Sequence, residues 1–92
     1  MALGVFAIAA TGASQVARPP KARNNLLIAN QSATATVYVA FDAAAVAAAT
    51  AGQLTLQPAA ATNVSSVQFV GDAPGGAINI IASAAAPVTV VE

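Results

Sequence analysis

Residues 35–54 read ATVYVAFDAAAVAAATAGQL. The first eight alternate with a period of two, placing Val37, Val39 and Phe41 on one face and Thr36, Tyr38 and Ala40 on the other. β-Branched and aromatic residues suit a pleated, half-buried surface, so this part predicts a strand. The rest has no charge and almost no large side chain. Asp42 is placed to cap a helix, alanine favours one, and Gly52 is placed to end it. Yet a helix of two to three turns is marginal in isolation, and alanine offers little apolar surface for docking. A single short helical turn between two strands is the expectation here, with a closely packed extended loop as the alternative.

The two-residue alternation extends outward on both sides. NLLIAN (25–30) is a short apolar strand, followed by the turn-like polar cluster QSAT. QLTLQP (53–58) gives a short strand before Pro58. In NVSSVQFV (63–70), Val67 and Phe69 share one face, and Val64, Ser66, Gln68 and Val70 share the other. GDAPGG (71–76) is a strong turn, because glycine supplies positive φ and proline presets a bend. AINIIAS and PVTVVE then close the chain. About six strands in fewer than seventy residues predict an all-β fold, a small sandwich or barrel.

Upstream lie MALGVFAIAATGASQVA and the proline-broken ARPPKAR. Leu3, Val5, Phe6 and Ile8 give the first seventeen residues apolar content without a clean period. Pro19 and Pro20 fix φ and remove two backbone donors. The expected organisation is therefore an extended N-terminal arm and proline linker over 1–22, then a β domain over 23–92. The first residues have a short apolar run followed by small residues, as a secretory leader would. They lack the basic segment that precedes such a run, so they are read as a retained arm.

Composition narrows function by exclusion. Of 92 residues, 7% are charged, against roughly a quarter in ordinary soluble domains. Three cations and three anions cancel, so no net charge keeps copies apart. The apolar fraction is 58%, but no run of about 20 large apolar residues exists, and no membrane span is expected. Cysteine and histidine are both absent. That removes disulfides, thiolate nucleophiles, cysteine zinc sites and the usual base beside a serine nucleophile. Lys21 sits in the proline linker, where nothing would desolvate it for serine–lysine chemistry. Asp42, Asp72 and Glu92 show no spacing that pairs carboxylates. GDAPGG lacks the Gly-Lys-Ser/Thr ending of a phosphate-binding loop. No catalytic, cofactor or metal site is expected. Arg18, Lys21 and Arg23 all fall within RPPKAR, upstream of every anion. They read either as a solvated linker or as a positive collar facing an acidic neighbour. Three cations are too few for a nucleic-acid interface.

The segments ARNNLLIANQSATATVYVAF, LTLQPAA and GAINIIASAAAPVTVVE resemble small β-rich structural proteins of tailed-bacteriophage virions. The matching positions are Arg23, Asn30, Ser32, Phe41, Leu56, Pro58, Gly76, Ile78 and Glu92, over about three quarters of the chain. Pro58-Ala59 departs from the Pro-Gly that such proteins often carry, which puts that turn in doubt. The resemblance implies a capsid decoration or cement protein, located on the capsid surface of the virion. Such a protein is a homo-oligomer, with a trimer favoured, that binds across major capsid protein subunits without a cofactor. Leu3, Val5, Phe6, Ile8, Arg18, Lys21 and Arg23 are then the expected partner-binding residues. A tail, neck or head-fibre base protein is the alternative, and a bacterial surface or carbohydrate-binding module is the alternative from another class.

Overall fold

The computed structural model of the chain describes residues 4–48, 50–60 and 62–92. It is all-β, with eight strands in two four-stranded antiparallel sheets. In chain order these are β1 (Val5–Ala10), β2 (Gln15–Arg18), β3 (Leu26–Asn30), β4 (Val37–Phe41), β5 (Leu54–Leu56), β6 (Ser66–Phe69), β7 (Ile78–Ala82) and β8 (Ala86–Val91). One sheet runs β1-β8-β3-β6 and the other β2-β7-β4-β5.

The core forms where the inward residues of the two sheets meet. Leu26 and Ile28 of β3 and Val88 and Val90 of β8 face Val37 and Val39 of β4, Leu56 of β5, and Ile78 and Ile80 of β7. The expected alternation of β4 therefore holds. Val37 and Val39 are buried in this core with Phe41 packed against it, while Tyr38 and Ala40 face the other way. β6 behaves as expected too: Val67 and Phe69 pack inward, and Val64, Ser66, Gln68 and Val70 are exposed.

The sequence expectation needs two corrections. The six expected strands are β3 to β8, and the extended arm supplies two more. From Val5 to Arg18 the chain lies within the sandwich. β1 pairs with β8 from Val5↔Val91 to Ala10↔Ala86, and β2 pairs with β7 from Gln15↔Ile80 to Arg18↔Ile78. These residues belong to the fold because Phe6 and Ile8 pack against the core and Ala10 is fully buried within it. A period of two with small residues at alternate positions conceals an edge strand, since only one face must be apolar.

The second correction concerns the alanine-rich segment. No helix is present among the described residues. Asp42 takes a left-handed φ of 63°, which no helix accommodates. Its carboxylate accepts from the backbone N–H of Ala77 (2.9 Å), not from amides ahead of it. Downstream backbone groups are satisfied by side chains from elsewhere: Ser14 Oγ accepts from Ala45 N–H, Gln53 Oε1 from Val46 N–H, and Gln53 Nε2 donates to the carbonyls of Val46 and Ala48. These bonds replace the ladder a helix would have made. The segment folds back as a loop over the outer face of β4 and β7, where Ala45 is buried with Ala40 and Ile81 beside Tyr38. Both faces of β7 are covered as a result, and all five of its residues are buried.

Candidate functional site

β8 alternates strictly, with Ala86, Val88 and Val90 buried. Continuing that period by two places the side chain of Glu92 inward, at the end of the core. Its carboxylate is only 1% exposed. A buried carboxylate is costly unless it is paired and hydrogen-bonded, and all three cations of the chain converge on it. Arg18 meets one carboxylate oxygen through both Nε and Nη2 (2.7 Å each). Arg23 Nε donates to the other oxygen at 2.7 Å. Lys21 Nζ stands 3.7 Å away and is half exposed.

Arg23 is itself buried, with a side chain 1% exposed. Its remaining donors reach the carbonyls of Pro74 and Gly76 through Nη1 and of Pro19 through Nη2, at 2.8–2.9 Å. The turn over 71–76 and the proline linker thus close around one guanidinium. The Lys21 N–H donates to the Gly75 carbonyl, and Arg23 bridges Ala73. Arg18 lies over the ring of Phe6, with the guanidinium carbon 3.6 Å from the centroid. The contact joins β2 to β1 where the two sheets open at their shared flank. Burial alone would push the Glu92 carboxyl up. The hydrogen bonds and charges of Arg23 and Arg18 outweigh it and hold the group below its ordinary value.

The acidic neighbour of the expected collar is thus Glu92 of the same chain. Of the expected partner-binding residues, Phe6, Arg18, Lys21 and Arg23 are brought together around it. Ile8 packs against the core, Val5 is 69% exposed on the outer face of β1, and Leu3 lies outside the described residues. Asp42 and Asp72 stand at the same end. Asp42 follows β4 beside Ala77, and Asp72 lies in the turn that Arg23 bridges. All six charged side chains therefore gather at one end of the sandwich.

The opposite end carries an uncharged counterpart. Asn30 follows Leu26 and Ile28 on the inward side of β3 and is equally buried. Its amide nitrogen donates to the carbonyls of Ala35, Leu56 and Gln57 at 2.8–3.1 Å, and its oxygen accepts from Ser32 N–H. Ser32 Oγ accepts in turn from Ala35 N–H. This cluster ties β3 to the entry of β4 and the exit of β5. Sequence reasoning passed over Asn30 and Glu92 as interior residues. Strand parity was the available signal, since each sits two positions past a buried Ile28 or Val90.

Among the described residues no group of three or more His, Cys, Asp or Glu is placed to hold a metal ion. Phe6, Tyr38, Phe41 and Phe69 are each partly buried. Phe41 and Phe69 meet edge to face, their centroids 6.2 Å apart. No family model, curated protein or solved structure matches this chain.

Proposed function

We propose that the chain is a non-enzymatic structural subunit of a tailed-bacteriophage virion, decorating the capsid by binding across major capsid protein subunits. The observation that carries this reading is where the charge goes. Every cation is engaged by Glu92, which leaves an exterior made mostly of alanine, serine, threonine and valine. Such an exterior has little chemistry to offer a substrate. It packs closely against another protein, because small uncharged side chains are cheap to desolvate and lose little rotamer freedom. Val5, Val16, Val46, Val64 and Val70, all exposed, supply apolar contact to such a surface. The mechanism is contact area: the subunit holds neighbouring capsid proteins together by burying surface across their joint. The polar clusters at the two ends of the sandwich keep the unit rigid while it does so.

The test is to purify particles of the phage that encodes the chain and weigh its band against the major capsid protein. Stoichiometric amounts, lost when the gene is deleted and restored by adding the purified chain, are the expected result. A few copies per particle would move it to the tail, neck or fibre base. Absence from the particle would end the virion reading.

A further inference from the structure

The four edge strands of the sandwich are unequal. β5 is three residues long, β6 is four, and β2 is broken by a register shift between Val16 and Arg18. Shortness and bulges blunt an edge against pairing. β1 has neither protection, and its six residues, VFAIAA, contain no charge and no proline.

Its hydrogen-bonding groups can be assigned from register. Gly4 and Glu92 exchange both backbone bonds, at 2.9 and 3.0 Å. Antiparallel pairs alternate, so Phe6, Ile8 and Ala10 likewise bond to β8, while Val5, Ala7 and Ala9 direct their N–H and C=O groups to the open edge. Among these the Ala9 carbonyl accepts from Gln15 Nε2 at 2.9 Å, which still leaves it a second lone pair. The side chains of Val5, Ala7 and Ala9 face solvent. Beside them lies a shallow apolar hollow lined by Ala7, Ile8, Ala9, Ala85, Ala86 and Pro87.

We propose that two copies of this chain associate by antiparallel pairing of β1 with β1 about a two-fold axis through Ala7. In that register Ala7 meets Ala7 of the second copy, and Val5 meets Ala9 in both directions. All three outward residues then face outward residues, with two hydrogen bonds at each pair. The same operation brings the exposed Val5 of each copy onto the face of Ala9 and Pro87, over the hollow of the other. One knob and one hollow per chain are satisfied twice, as a two-fold interface requires. No charged side chain on either strand opposes the approach. Antiparallel self-pairing closes at two, so this edge gives pairs and not the trimer the resemblance implies. The inference does not depend on the capsid reading.

Sedimentation of the full chain over a concentration series tests it. Such a small interface predicts a reversible monomer–dimer equilibrium. Ala7→Pro removes an outward donor while leaving the β8 ladder whole, and Ala7→Lys sets two ammonium groups face to face. Both are expected at monomer mass at every concentration, with the wild-type melting temperature under dilute conditions. Ala7→Cys is expected to form a disulfide-linked dimer on mild oxidation, since directly opposed Cα atoms lie within bridging range. Val5→Cys is not, because its two copies would be roughly 14 Å apart at about 3.4 Å per residue. A wild-type chain that stays monomeric throughout, or a dimer that survives both Ala7→Pro and Ala7→Lys, overturns the proposal. Cross-linking that is equal at positions 5 and 7 overturns it too.

Discussion

The two ends of the sandwich solve the same problem with different chemistry. At one, β8 carries Glu92 inward, three cations close around it, and several carbonyls take the remaining donors of Arg23. At the other, β3 carries Asn30 inward, and one neutral amide ties three carbonyls and a backbone N–H. Each polar residue continues an apolar alternation by one step and is buried with its partners supplied. The difference lies in what happens when a partner is lost. An amide leaves unpaired dipoles, whereas a carboxylate leaves unpaired charge.

The largest effect is therefore expected at the ionic end. Glu92→Ala strands the buried Arg23 guanidinium and is expected to cost about 3–5 kcal/mol, read from the urea midpoint. A loss below about 1 kcal/mol would mean that the carbonyls of Pro19, Pro74 and Gly76 suffice for Arg23, and the contrast between the ends would collapse. Asn30→Ala should cost less, about 2–3 kcal/mol, because unpaired buried dipoles are cheaper than a charge. Equal losses in the two variants would show that charge adds nothing here.

Phe41→Ala separates packing from polarity at the ionic end. Phe41 is only half buried against Phe69 and the core, so a loss of about 2 kcal/mol is expected, less than a fully buried phenylalanine would give. A melting temperature unchanged from wild type would place its ring outside the cooperative core. The smallest effect is expected from acid. The folded Glu92 carboxyl lies below its ordinary value, so its stabilisation is whole above the unfolded pKa, about 4.3. It is lost as pH falls through the lower folded value. Glu92→Gln should lack that portion of the acid loss, while Asn30→Ala should keep it. Identical acid profiles in wild type and Glu92→Gln would assign the loss to other carboxylates.

Much of the fold was legible. β3 to β8 follow from two-residue periodicity and turn residues, and the inward faces of β4 and β6 follow from parity. The arm was misread because Ala7 and Ala9 are too small to mark which face of β1 is buried. What holds it in the sheet is β8, some eighty residues away in sequence. The alanine loop was misread because its competitors for a helix, Ser14 and Gln53, act through long-range or loop-closing bonds that local propensity does not register. All six charges were visible, but the pairing of Arg18 and Arg23 with Glu92 spans 74 and 69 positions. A cation cluster with no nearby anion looks like a site for a partner until the strands bring the anion to it.

Gathering every Asp, Glu, Lys and Arg side chain at one pole makes the molecule respond asymmetrically to its solvent. Dissolved salt and added acid act on the linker, the 71–76 turn and the tip of β8. The loops over 11–14, 31–36, 57–60, 62–65 and 83–85, which hold no titrating group, are indifferent to both. Acid below the ordinary carboxylate range should thus fray the sandwich directionally, with amide hydrogens around Arg23, Gly75 and Ala77 exchanging well before those around Asn30 and Ala35.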